Sequence, residues 1–221
     1  LHTAYRRQRQ MCIRDSVCYI SYVVYCRRGF NMGKILLNCR KVSCERRDNM
    51  SIPAHEAKSR LIEGNKRFIN ATSNPGDVSL ERRVDTLKNG QHPYAIVLCC
   101  SDSRQVPEAI FSAGIGELFV IRVAGNVVDS HQLGSIEYAA DHLDCKLVVV
   151  LGHNHCGAVE AAIKHDPDGH IKYITDDIRE AIKEEKDEYI ATCLNVKHSV
   201  KVIEELSLIH ISEPTRRRGI S

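Results

Sequence analysis

Two short apolar runs constrain this chain more than anything else in it. Ala95, Ile96, Val97 and Leu98 lead into Cys100-Ser101-Asp102-Ser103-Arg104, and Leu147-Val148-Val149-Val150-Leu151 leads into His153-Asn154-His155-Cys156-Gly157. Runs of this length, rich in β-branched residues and closed by turn formers, read as buried strands. Each ends in soft metal ligands, so a site is expected at the carboxyl ends of two strands. Zinc favours Cys and His, and three protein ligands with a labile fourth position mark a catalytic rather than a structural site. Cys100, His153 and Cys156 supply three.

Between and around these runs the pattern alternates helix and strand, with no internal repeat. An opening helix is expected with Ser51 as N-cap, Pro53 in its first turn and Leu61, Ile62, Phe68 and Ile69 as its apolar stripe, a surface that can dock on a partner. Strand 95–100, a short helix over 107–113, strand 117–123, helix 132–143, strand 146–152 and a helix from Gly157 follow. Asp176 is expected to cap a further, mostly polar helical stretch, with Ile178, Ile182, Ile190, Leu194, Val196, Val200 and Ile203 available for packing. Helices between strands imply parallel pairing through right-handed crossovers. The fold class is therefore α/β, a mostly parallel central sheet flanked by helices, with the zinc site at the C-terminal ends of the strands, where open parallel sheets bind ligands.

The flanks read differently. Residues 6–16 match a translation of a transposase-type sequencing adapter and 206–216 match the opposite adapter, so 1–16 and 206–221 are read as translated adapter. Arg46-Arg47-Asp48-Asn49-Met50 can be encoded as a purine-rich bacterial ribosome-binding site ahead of a start codon, so 17–49 is read as untranslated leader or disordered chain, with Met50 favoured over Met32 as the start. Val17–Cys26 is apolar but too short to span a bilayer, and its positive charge follows it, the wrong side for a secretory signal. The expected domain is 50–205, truncated at its C-terminus.

Within 50–205 there are 17 Lys and Arg against 24 Asp and Glu, a net of −7, whereas the whole chain carries +3. The basicity belongs to the flanks, which removes the support for nucleic-acid binding. Five cysteines remain in the domain, Cys99, Cys100, Cys145, Cys156 and Cys193. An odd number at uneven spacing argues against a disulfide framework and for a reducing, cytoplasmic location.

Cys100-x-Asp102-x-Arg104 followed some fifty residues on by His153-x-x-Cys156 resembles the signature of the β-class carbonic anhydrases. The likeness runs from about Ala57 to the end of the domain and includes Glu63-Gly64-Asn65-Lys66-Arg67-Phe68 and Arg122-Val123-Ala124-Gly125-Asn126. It implies a carbonate dehydratase, a lyase that hydrates carbon dioxide reversibly to bicarbonate and a proton by attack of zinc-bound hydroxide. Implied with it are Zn2+ on Cys100, His153 and Cys156, a closed form with Asp102 as fourth ligand, and an active form with Asp102 bonded to Arg104. A homodimer or tetramer is implied as well, with the substrate pocket completed across the interface. Cys156 is expected at a helix N-terminus, where the dipole favours a thiolate, and the Gly157 amide is a candidate oxyanion donor.

Two departures stand out. The chain has no Trp, so the aromatic flanking the noncatalytic bicarbonate site of allosteric members is missing, which argues against control by bicarbonate. The strand that members carry after the last helix is also expected to be missing, exposing its neighbour's edge to aggregation. His155 is expected to turn away from the metal and Cys99 to face the opposite side of its strand as buried filler. Cys145 and Cys193 lack ligand partners in sequence, and His131, His142, His165, His170 and His198 are isolated. Two other readings compete: a zinc hydrolase of carbonyl sulfide or carbon disulfide, which shares these ligands, and a structural zinc site or redox pair of Cys100 and Cys156.

Overall fold

The computed structural model describes residues 20–25, 52–70 and 76–212, with side chains over 52–70 and 76–205. Its elements run β1 (Ile20–Tyr25), α1 (Ala54–Ile69), α2 (Leu80–Asn89), β2 (Ala95–Cys99), α3 (Pro107–Ile110), β3 (Leu118–Arg122), a 3-10 turn (Ala124–Asn126), α4 (Ser130–His142), β4 (Leu147–Leu151), α5 (Gly157–Lys164), α6 (Ile171–Ile182) and α7 (Glu188–Ser212). The sheet order is β1-β4-β2-β3. β2 lies parallel to both β3 and β4, whereas β1 joins β4 antiparallel. The expected parallel sheet with crossover helices is present.

β2 and β4 are buried along their whole length because both faces are covered. Ala95, Val97, Cys99, Leu147, Val149 and Leu151 face one cluster with Ala57, Leu61 and Phe111. Ile96, Leu98, Val148 and Val150 face the other, with Ile136 and Ala139 of α4 and Val196, Val200 and Ile203 of α7. This alternation by twos sends Cys99 away from Cys100, which falls in a third cluster with Cys156, Val159 and Ile178. Asp129 caps α4 through a capping box with Gln132.

Three helices differ from the sequence reading. α2, between Ser79 as N-cap and Gly90 beyond its end, was not read from sequence. Asp176 lies inside α6 rather than capping it, because the helix starts five residues earlier and Asp176 pairs with Lys172 one turn back. α1 follows Pro53 without a side-chain cap, and Ser51 lies outside the described residues. The outer edge of β4 is paired antiparallel with β1, Ile20–Tyr25, which falls within 17–49. α7 carries its backbone through 206–212, residues read as adapter. Residues 1–19, 26–51 and 213–221, and with them the rest of the flanking readings, lie outside the described residues.

Candidate metal centre

Cys100 is the first residue beyond β2, His153 the second beyond β4, and Cys156 the residue on which α5 starts. Because β2 and β4 are hydrogen-bonded neighbours in parallel register, their carboxyl ends emerge side by side. All three side chains are buried, and their ligand atoms lie within 4.8 Å of one another. The Cys100 and Cys156 sulfurs are 4.0 Å apart. Around a tetrahedral zinc, bonds of about 2.3 Å to sulfur place two sulfurs about 3.8 Å apart, so the pair already stands near that spacing.

His153 Nδ1 lies 2.9 Å from the Asn154 carbonyl. A carbonyl only accepts, so Nδ1 carries the proton and Nε2 presents a lone pair. That Nε2 is buried without a hydrogen-bond partner among the described residues. A buried nitrogen left unpaired costs free energy unless something outside the protein satisfies it. Two soft sulfurs and one such imidazole nitrogen fit zinc.

Asp102 turns its carboxylate to Arg104 in a bidentate pair. Oδ1 accepts from the Arg104 amide and from Nε, both at 2.9 Å, and Oδ2 accepts from Nη2 at 2.8 Å. The same Nη2 donates to the His155 carbonyl at 2.8 Å, so one guanidinium ties the two halves of the site together. The Arg104 bonds hold the Asp102 carboxyl far below the ordinary carboxylate range against the opposing effect of burial, with His153 helping. The Asp102 bond in turn raises Arg104. Asp102 Oδ2 nevertheless stands 4.0 Å from His153 Nε2, at the rim of the ligand triangle.

The Cys100 and Cys156 sulfurs lie within hydrogen-bonding reach of each other. The hydrogen bond from Cys156 holds Cys100 well below the usual thiol range despite burial, with His153 and the Asp102 and Gly125 amides adding to the effect. The same bond, with burial, pushes Cys156 up. A metal takes both sulfurs as thiolates, so binding there would displace the proton that Cys156 holds more tightly.

His155 has φ 53° and an exposed side chain whose Nδ1 lies 3.5 Å from Glu188 Oε2, so it points off the site as expected. Cys99 is fully buried on the other face, and burial pushes its thiol up to about 12. Cys145 is buried beside the Leu147 carbonyl, and Cys193 is half-buried. His131, His142, His165 and His170 are exposed and His198 is half-buried; none joins the ligand group. Gly157 is exposed at the first position of α5, and a Cβ placed there would meet nothing within 4 Å, so the glycine is not there to make room for a packed neighbour.

Sequence reasoning missed two supports. The Arg122 guanidinium donates to the carbonyls of Cys100, Ser101 and Asp102 at 3.3, 3.1 and 2.8 Å, clamping the loop that carries ligand and carboxylate. The Gly125 amide donates to the Cys100 sulfur at 3.3 Å. The register of β3 against β2, which sets Arg122 opposite Cys99, is what would have located the first.

Residues 95–217 match the model of the carbonic anhydrase family. Carbonic anhydrase 2 of Mycobacterium tuberculosis is 48% identical over 109 residues, covering 49% of this chain and 52% of that protein. Carbonic anhydrase of Mycolicibacterium smegmatis is 43% identical over 111 residues, covering 50% of this chain and 53% of its own length. The chain thus spans about half the length of the curated relatives it matches. Among solved structures, tetrameric β-carbonic anhydrases from the ascomycete Sordaria macrospora superpose with a TM-score of 0.50 at 26% identity, covering 72% of this chain and 84% of theirs. Among the described residues no helix is long and apolar enough to cross a membrane. With more than half of its length inside the family match, the chain belongs to the β-carbonic anhydrase family.

Proposed function

We propose that this protein catalyses the reversible hydration of carbon dioxide to bicarbonate and a proton, as a zinc-dependent carbonate dehydratase. The observation that carries the reading is the buried Cys100, His153 and Cys156 triangle with the Asp102–Arg104 pair on its rim. Zinc held by these three ligands would supply Lewis acidity, bringing the pKa of a water molecule down to about 7.

Asp102 and Arg104 do the orienting. Arg104 keeps Asp102 ionised, and an ionised carboxylate only accepts hydrogen bonds. A water-derived nucleophile beside Oδ2 therefore turns its hydrogen toward Asp102 and leaves a lone pair facing the substrate carbon. The bidentate fork fixes that direction, which a single-point Lys contact cannot. The pairing corresponds to the active form that the family resemblance implies; in the closed form Asp102 would leave Arg104 for the metal. The Gly157 amide, at the first position of α5, is the proposed donor to an oxygen of the developing anion, a role supported by the helix N-terminus on which it stands.

Association with a second copy is part of the proposal, as a homodimer or tetramer. α2 buries no residue within the chain, while Val78, Leu80, Val84 and Leu87 share an uncovered apolar stripe in which Leu87 is 84% exposed. Such a stripe calls for cover. Among the described residues the cysteines at 99, 100, 145, 156 and 193 form no disulfide, which supports a reducing, cytoplasmic setting.

Stopped-flow hydration of carbon dioxide with a pH indicator, on the full chain with zinc assayed in parallel, tests the reading. The expected result is rapid hydration with about one zinc per chain, and an Asp102→Ala variant that keeps its zinc but is slower by about a hundredfold or more. Full zinc without hydration between about pH 7 and 9 overturns it and directs the assay to carbonyl sulfide and carbon disulfide.

A further inference from the structure

Three buried polar side chains lie on one side of α7: Thr192, Asn195 and Ser199, each about 1% exposed. Burying a polar group is costly unless its hydrogen bonds are made, so each asks where its partner is. Thr192 answers locally, its Oγ1 donating to the Glu188 carbonyl of its own helix at 2.8 Å. Ser199 donates to the Asn126 carbonyl at 2.9 Å and also accepts from the Asn126 side chain at 3.4 Å. Asn195 reaches across 70 residues of chain to donate from Nδ2 to the Gly125 carbonyl at 2.7 Å.

Gly125 is the residue whose amide donates to the Cys100 sulfur. Its φ of +67° is left-handed, and a Cβ there would lie 2.7 Å from Ile178 Cδ1 and 3.1 Å from Ala158 Cβ. The turn is therefore pressed against α5 and α6 with its amide aimed at sulfur, in a backbone conformation that needs holding. The Asn126 amide is held by the Val123 carbonyl at 3.0 Å. The carbonyls of Gly125 and Asn126 are taken by α7.

Resting on the reading of Cys100 as a metal ligand, we infer that Asn195 is a positioning residue for the metal centre: by fixing the Gly125 carbonyl it holds the Gly125 amide on the Cys100 thiolate. A donor aimed at a thiolate stabilises its charge and fixes the sulfur lone pairs that the metal uses. α7 thereby acts on the Cys100 ligand through the backbone of the 3-10 turn.

The test is metal affinity of the full chain, measured by chelator competition for zinc and by the sulfur-to-metal charge-transfer band of cobalt. Asn195→Ala removes the donor, and Asn195→Asp keeps the shape but replaces the donor with an acceptor. Each is expected to weaken zinc binding by about tenfold and to shift the cobalt band. Thr192→Val, equally buried on the same helix but bonded only to it, is expected to leave both unchanged. In the unsubstituted chain, the Asn195 side-chain amide protons are expected to be protected from exchange with and without metal, a measurement that requires no variant to fold. Wild-type affinity in a folded Asn195 variant, equal weakening by Thr192→Val, or freely exchanging Asn195 protons overturns the inference. A wild-type chain that binds neither zinc nor cobalt overturns instead the metal-site reading beneath it.

Discussion

His155 stands between two candidate ligands without joining them, and its backbone is the part that matters. With φ at 53° it holds a left-handed conformation that costs an ordinary residue about 1 to 2 kcal/mol, and its carbonyl meets Arg104 only in that turn. His155→Gly should therefore match or exceed the parent chain in stability, whereas β-branched His155→Val should lose about 1 to 2 kcal/mol in urea unfolding. Equal stability of the two variants would show that the turn carries no strain. The sequence made the ligands legible because Cys and His at strand ends are chemically unusual. It also placed His155 off the metal, by the turn alone. Arg122 and Asn195 stayed hidden, because an Arg ending a strand and an Asn inside a helix signal nothing until the sheet register and the α7 packing set them against their carbonyls.

At the level of elements, β2 and β4 were readable because complete burial leaves an unbroken apolar run. α2 was missed for the opposite reason: it buries nothing among the described residues, and its three-residue stripe of Leu80, Val84 and Leu87 is too short to mark it off from a solvated segment. Asp176 misled because a residue that often caps helices serves equally well one turn from a lysine. α1 packs closer than its sequence suggests. A Cβ on Gly64 would lie 1.7 Å from the Phe111 carbonyl oxygen, a backbone atom that cannot swing away, while Ser112 Oγ and Asn65 Nδ2 bond across the same contact. Gly64→Ala is therefore expected to lift α1 from the core at a cost of about 3 kcal/mol or more, seen as a lower urea midpoint and faster proteolysis of the α1 segment. An unchanged midpoint would mean that α1 has room to shift.

For the molecule as a whole, one acid-base limit lies on the alkaline side. Burial pushes Cys99 from 9.0 up to about 12, and burial with nearby Glu117 pushes Tyr94 from 10.0 up to about 12. Both are acids kept neutral by the fold, so their contribution is complete below the unfolded values and is lost as pH rises toward 12. The urea midpoint is expected to decline as pH rises from about 9 to about 12, and Cys99→Ala to flatten that decline; a midpoint level across the range would refute the assignment. The spacing of the metal ligands carries a different message. One sulfur follows β2, while the imidazole and the second sulfur follow β4, and they meet only when those two strands lie side by side in register. Neither half can hold the ion alone in this geometry, so a bound metal certifies a finished sheet. The metal content of a preparation then counts its correctly assembled molecules, and a shortfall is first a measure of misfolding and only second of metal supply.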